Sequence, residues 1–205
     1  MFARTTTVHG DPRAVEDGIG FVRDSVWPTV QRMSGCVGLS MLADRDAGRC
    51  IVTAAWATDE AMRASAEAVK ESRHQAAEAL RADTVDIEEW EIAALHRVHP
   101  AGDGACARVV WSESEQINGM VDAFRMSLLP QVEELPGFCS VSLLTNRTTG
   151  RASAAITYES RDALVRSRGM ATGMRDDFAS AMGARITEVA EFDLVLAHLR
   201  VPEMA

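Results

Sequence analysis

Trp27–Arg49, "WPTVQRMSGCVGLSMLADRDAGR", returns 102 positions later as Leu129–Arg151, "LPQVEELPGFCSVSLLTNRTTGR". Pro28 meets Pro130, Gly35 meets Gly137, and the polar tip Asp44–Arg49 ("DRDAGR") meets Asn146–Arg151 ("NRTTGR"). The same shift carries on downstream, setting Trp56 on Tyr158, Ser65 on Ser167, Arg73 on Arg175, Glu89 on Glu191 and His96 on His198. A two-residue adjustment at the start places Ala3-Arg4 on Ala107-Arg108. A register that holds over most of both halves is the mark of an internal duplication, and it sets the fold before any single element is read.

Each half reads as one unit in the order βαββαβ. In the first, Phe2–His9 is a Thr/Val-rich strand. Asp11-Pro12 supplies a cap and a proline suited to a helix's first turn. Apolar groups at Val15, Ile19, Val22, Val26 and Val30 give helical spacing over Arg13–Met33, with Pro28 predicting a kink or an early end. Cys36–Ala43 and Cys50–Trp56 form a hairpin whose tip uses Gly48 for a positive φ. A helix follows over Asp59–Leu80, and Val85–His96 closes the unit. The second half predicts strand 105–112, helix 114–134, strands 138–146 and 150–158, helix 161–182 and strand 186–198. "VHPAGDGA" (Val98–Ala105) reads as a connector. The organisation expected is a first repeat over 1–97, a linker over 98–104 and a second repeat over 105–205.

A βαββαβ unit makes a four-stranded antiparallel sheet with both helices on one face, leaving the other face to be covered. Ile51–Trp56 is apolar on both alternating sets, as in a strand buried on both sides. The fold class expected is therefore α+β, with two tandem ferredoxin-like units whose sheets face one another in a single chain.

Composition narrows the partners. The 205 residues are 47% hydrophobic, and the apolar runs fall short of the roughly 20 residues that span a bilayer, so no membrane partner is expected. The start, "MFARTTTVHGDP", lacks the apolar core of a secretory signal, which predicts a cytoplasmic protein. A net charge of −9 with scattered Lys and Arg disfavours nucleic acid. Cys36, Cys50, Cys106 and Cys139 show neither CxxC nor zinc spacing and read as reduced, mostly buried residues. Asn146-Arg147-Thr148 matches a glycosylation sequon but reads as a turn in a chain that is not exported. Neither Gly18–Gly20 nor Gly102–Gly104 follows a strand and opens a helix, so neither is a dinucleotide loop.

Trp27-Pro28 and Leu129-Pro130, the "PGF" turn Pro136–Phe138, the "GR" hairpins, and "WATDEAMRAS" (Trp56–Ser65) against "YESRDALVRS" (Tyr158–Ser167) together resemble the antibiotic biosynthesis monooxygenase domains of the dimeric α/β barrel superfamily. The resemblance covers nearly the whole chain as two tandem copies, and it implies an intramolecular pseudo-dimeric barrel with ligand space between sheet and helices. It also implies activities such as cofactor-independent oxidation of quinols or aromatic polyketides, or haem degradation. Haem-degrading members use an Asn on the first strand, a Trp in the second helix and a ligating His beyond it. Those positions fall here on Ala3 and Ala107, on Ser65 and Ser167, and on Gln75 and Asp177. The set is missing from both halves, although His74, next to Gln75, leaves haem binding open.

The function expected is thus a cofactor-independent monooxygenase-like enzyme acting on a small aromatic or quinol. The alternative is a non-catalytic protein that binds a small apolar molecule or haem, and a bare scaffold is the third reading. No cofactor is expected, haem is not excluded, and the fused barrel is open to homodimerisation. His96 and His198, retained at equivalent strand ends, are the candidate proton acceptors; the plainer reading makes them hydrogen-bonded surface groups. Trp56, His74, Trp90, Trp111, Tyr158 and Arg175 are the candidate ligand contacts. Aromatic residues at such positions are more often core, and Arg73 and Arg175 more often lie on a solvated helix face. No HExxH or facial His/carboxylate grouping points to a metal.

Overall fold

The computed structural model describes residues 1–199; the end of the second repeat, 200–205, lies outside the described residues. Eight strands run β1 (Phe2–His9), β2 (Cys36–Asp44), β3 (Arg49–Trp56), β4 (Thr84–Arg97), β5 (Cys106–Glu113), β6 (Phe138–Asn146), β7 (Arg151–Tyr158) and β8 (Arg185–Leu199). The helices are α1 (Val15–Phe21), α2 (Trp27–Val30), α3 (Asp59–Ala68), α4 (Lys70–Ala79), α5 (Ile117–Ala123), α6 (Leu129–Glu133) and α7 (Arg161–Met182). The hydrogen-bonded strand order is β1-β3-β2-β8-β5-β7-β6-β4, closed as a barrel. This is the α+β, twice-repeated βαββαβ arrangement that the duplication implies.

The chain divides into two compact units. The first holds Met1–Trp90 and the end of β8 from Leu194, and the second holds Glu91–Asp193. These units differ from the sequence repeats in the closing strands, which are about twice as long as the others. In the second unit, Glu91–Arg97 of β4 pairs antiparallel with β6, and Arg185–Asp193 of β8 pairs with β5.

Within the first unit β3 lies between β1 and β2, running from Phe2↔Trp56 to His9↔Arg49 on one side and from Cys36↔Trp56 to Asp44↔Arg49 on the other. The second unit repeats this as β5-β7-β6, down to the bulge at Phe138/Ser140 that matches the one at Cys36/Gly38. No residue of Ile51–Trp56 is exposed, as its two-sided apolar pattern predicts.

Proline shapes the first helix of each repeat. Between α1 and α2 lies a π turn, Val22–Val26, whose widened ladder carries the Trp27 N–H to Val22 O. The second repeat does the same over Phe124–Leu128, where Leu129 N–H donates to Phe124 O. Proline has no N–H and crowds the carbonyl four residues back, and the π turn absorbs both defects without ending the helix.

The hairpin tips are equivalent. Asp44 Oδ1 accepts from the N–H groups of Asp46 and Ala47, and Asn146 Oδ1 from those of Thr148 and Thr149. Gly48 (φ 65°) and Gly150 (φ 70°) then take the left-handed conformation, and their carbonyls accept from Gly10 N–H and Ser114 N–H. Each unit has its own apolar core, around Val22, Leu39, Met41 and Trp56 in the first and around Phe124, Val141, Tyr158 and Leu164 in the second. Among the described residues, no helix is long and apolar enough to cross a membrane.

Candidate functional site

Strand alternation places Arg4, Thr6 and Val8 of β1, with Val52, Ala54 and Trp56 of β3, on the helix-facing side of the first unit's sheet. They line a cavity of about 60 Å³ that is closed by the valines of the first helix and by Val69, Ser72, Arg73 and Ala76 of the second. The second unit holds the matching cavity, about 70 Å³, between β5, β7 and the helices. Both are smaller than the roughly 300–1,000 Å³ of drug-sized sites, so any ring-sized ligand must move side chains to enter.

A buried arginine is anchored in each unit. Arg4, 5% exposed, donates through Nε and Nη2 to Glu89 Oε1 (3.0 and 2.7 Å), through Nη1 to Ser65 Oγ (3.0 Å) and through Nη2 to Met62 O (2.8 Å). Arg108, equally buried, repeats the set with Glu191, Ser167 and Leu164 O. A guanidinium withdrawn from water needs a carboxylate and acceptors for its remaining N–H groups, and each repeat supplies both.

The two sites then diverge. In the second, Tyr158 Oη accepts from Arg108 Nη1 at 3.2 Å, and burial raises the phenol's pKa above its ordinary value. Trp56 takes that place in the first unit. It is 1% exposed, and its Nε1–H finds no hydrogen-bond partner. Arg175, on the wall of the second cavity, pairs with Asp176 at 2.7 Å. Its counterpart Arg73 is followed by His74 instead, and it makes no hydrogen bond or ion pair among the described residues. Burial, and after it the nearby charge of Arg4, lower the Arg73 pKa below the ordinary guanidinium value. Ser72 stands where the second unit has Met174.

Of the residues singled out from sequence, Trp56 lines the first cavity and Arg175 the second. Tyr158 is fully buried against Arg108, with the guanidinium carbon 5.5 Å from the ring centre. Trp90 is buried and donates to Thr5 Oγ1 at 2.9 Å, and Trp111 packs edge-on to Phe192. His74 is exposed and faces Glu78 at 3.4 Å. His96 lies 2.9 Å from Glu133 and stacks on Phe138, and His198 stacks on Trp27 at 4.9 Å. No histidine lines either cavity, so neither offers a haem iron an imidazole ligand; the second has only the thioethers of Met120 and Met174. Among the described residues no cluster of His, Cys, Asp or Glu could hold a metal ion.

Arg4 and Arg108 are not singled out by the sequence, nor are Ser65, Glu89, Ser167 and Glu191; of their partners only Tyr158 is. The signal was a charged residue retained at the same place on two apolar strands, with Ser and Glu retained at matching distances.

The fold, a single-chain barrel of eight antiparallel strands with ferredoxin-like halves, is shared by solved structures described as monooxygenases or as related to antibiotic biosynthesis monooxygenases. A candidate monooxygenase of Lactobacillus acidophilus NCFM superposes with a TM-score of 0.68 at 10% identity, over 97% of this chain and 96% of that one. An anthrone oxidase-like protein gives 0.68 at 12% identity, over 100% and 95%. A ferredoxin-fold protein of Listeria monocytogenes, described as related to antibiotic biosynthesis monooxygenases, gives 0.53 at 7% identity, over 94% of both. At these identities the likeness is one of fold. No protein-family model matches the chain. By sequence, the chain belongs to the family of two Mycobacterium tuberculosis H37Rv proteins, the uncharacterized proteins Rv2557 and Rv2558. It is 44% identical to the first over 206 aligned residues and 45% identical to the second over 207, matching throughout its own length and covering 92% and 87% of theirs.

Proposed function

We propose that this protein takes a small aromatic or quinol into a sheet–helix cavity and oxidises it with O2 without a bound cofactor. The observation that carries the reading is Arg4, a cation fixed by Glu89, Ser65 and Met62 O at the wall of a largely apolar cavity. An aromatic CH2 or phenol gives an electron to O2 far more readily once ionised, and a preorganised guanidinium in a water-poor site favours that anion. In a monooxygenation of this kind the reacting CH2 loses two hydrogens and gains one oxygen as a carbonyl. The second oxygen leaves with those hydrogens as water, so O2 is the only oxidant. Proton acceptance by His96 or His198 would run through a relay, since neither reaches a cavity. Fold likeness to an anthrone oxidase-like protein supports the chemistry by analogy only.

Oxygen uptake with a panel of anthrones and hydroquinones tests this. Saturable uptake is expected, reduced ~100-fold or more in Arg4→Met, the loss that follows removal of one oxyanion-stabilising group. Binding without uptake across the panel would instead establish the second reading, a non-catalytic binding protein. One observation favours that alternative: no His, Asp or Glu lines either cavity.

A further inference from the structure

The two cavities share a scaffold but not a balance of donors and acceptors. In the second unit Arg108 is matched by Glu191, Tyr158 and Ser167, and Arg175 by Asp176. In the first, Arg4 takes up Glu89, while among the described residues Arg73 makes no hydrogen bond or ion pair of its own, feeling Glu89 only as a nearby charge, and the buried Trp56 Nε1–H has no acceptor. Arg4, Trp56 and Arg73 line the same cavity, whose other walls are largely valine. A buried donor left unmatched is costly, and the buried indole N–H of Trp56 beside the half-buried guanidinium of Arg73 on one cavity wall leaves a place for an acceptor.

Arg73 also faces outward. It lines both the inner cavity and an open cleft of about 530 Å³ bounded by Glu67, Lys70, Glu71, His74 and Val85. The second helix is interrupted beside it, at Val69 between α3 and α4, whereas α7 of the second unit runs unbroken from Arg161 to Met182. A guanidinium on a long, unbonded side chain between cleft and cavity can turn with an entering anion.

We infer that the first unit alone is the ligand-binding half, and that its ligand is a compact apolar monoanion whose oxygen head is held by Arg73 and Trp56 Nε1–H while its body lies along the valines. This deepens the reading proposed above by naming the half and the head group, and it rests on the sheet–helix cavity taking a ligand. Carboxylate and phenolate heads present the same acceptor oxygens, so both are used as probes.

The experiment is titration of the intact protein with benzoate and with 4-nitrophenolate, under anaerobic conditions so that no turnover intervenes, with benzamide and 4-nitroanisole as neutral counterparts. The indole N–H resonance of Trp56, identified by its disappearance in Trp56→Phe, is followed by NMR alongside calorimetry. Saturable binding of at least one anion is expected, with a downfield shift of the Trp56 N–H. Affinity should be weakened at least ~10-fold in Arg73→Gln, the scale of one charge-assisted hydrogen bond, and changed less than ~2-fold in Arg175→Gln. Arg73 makes no bond within the described fold, so its replacement leaves the scaffold intact. The inference is overturned if neither anion binds, if the neutral probes bind as well as the anions, or if Arg73→Gln binds unchanged. It is also overturned if Arg175→Gln loses as much as Arg73→Gln, or if the Trp56 N–H does not move. Binding that follows this pattern without oxygen uptake in the separate assay would remove the oxidative function and leave the site. Oxygen uptake with Arg73→Gln unaffected would do the reverse.

Discussion

Arg108 donates through Nη2 to Glu191 Oε1 at 3.0 Å with its side chain only 7% exposed, and Arg4 stands in the same relation to Glu89 in the other repeat. The pairs differ in how far water reaches the acid: Glu191 is 20% exposed and Glu89 is 43%. Removing a partner from a buried pair leaves an uncompensated charge, at a cost of about 3–5 kcal/mol when the site is dry and less when water can enter. Glu191→Gln should therefore destabilise the protein by roughly 2–4 kcal/mol and Glu89→Gln by about half as much. Urea denaturation of both variants decides this, and equal losses would refute the burial argument.

The same pair sets the acid limb of stability. Burial pushes the Glu191 carboxyl upward, but its hydrogen bonds with Arg168 and Arg108, and their charges, outweigh burial and hold it below the ordinary value of 4.5. Because the folded value is the lower one, the stabilisation is complete above the unfolded value and is lost as pH falls through the depressed one. As pH falls below about 4.5, wild type should lose stability more steeply than Glu191→Gln, which has no carboxyl to protonate at that position. Parallel pH profiles for the two proteins would remove Glu191 from the account.

Gly48 and Gly150 each take a positive φ, and a Cβ there would meet Gly10 O at 2.2 Å or Ser114 O at 2.5 Å. Both obstacles are backbone and cannot swing aside. Replacement by alanine adds left-handed strain to a main-chain clash, so each of Gly48→Ala and Gly150→Ala should cost roughly 1–3 kcal/mol in thermal or urea melts. The hairpin itself is expected to persist, because the Asp44 and Asn146 side chains still cap the turns. A neutral substitution at either position would show that the tip can rearrange.

The duplication made the element order legible: β1, β6 and α7 fall at the limits that the spacing predicts. The π turns before Pro28 and Pro130 were not legible, because proline forbids a regular helix without saying how the chain accommodates it. The break at Val69 gives no warning either, since Ala68, Val69 and Lys70 are compatible with a continuous helix. At the site, Trp56 and Arg175 could be read as wall residues from aromatic and basic character. The buried arginines could not: Arg4 in "ARTTTV" looks like any strand-edge cation, and its role depends on Ser65 and Glu89, which lie 61 and 85 residues away. Repeat equivalence was the one sequence signal linking those three positions, and it does not say that they touch. Equivalence at His96 and His198 marks a shared strand end, and it does not say whether either ring lines a cavity, which neither does.

Cysteine chemistry gives a last prediction. Cys50 on β3 is fully buried, and that burial pushes its thiol up to about 11, while half-buried Cys36 is also raised by burial to a smaller degree. Since the thiolate is the nucleophile, a pKa of about 11 leaves on the order of one molecule in a thousand reactive at pH 8, against about one in ten at the ordinary value of 9.0. Burial adds a steric barrier, so Cys50 should react with a thiol-specific disulfide reagent only as fast as the protein opens, and Cys36 should react first. Raised above its unfolded value, the Cys50 thiol contributes stability that is complete below pH 9 and is lost as pH climbs toward 11. Mass-spectrometric mapping of the first modified cysteine, with the rate measured across a urea series, checks both points. Labelling of Cys50 before Cys36, or at a rate indifferent to urea, would mean that the sheet around β3 opens far more readily than its packing allows.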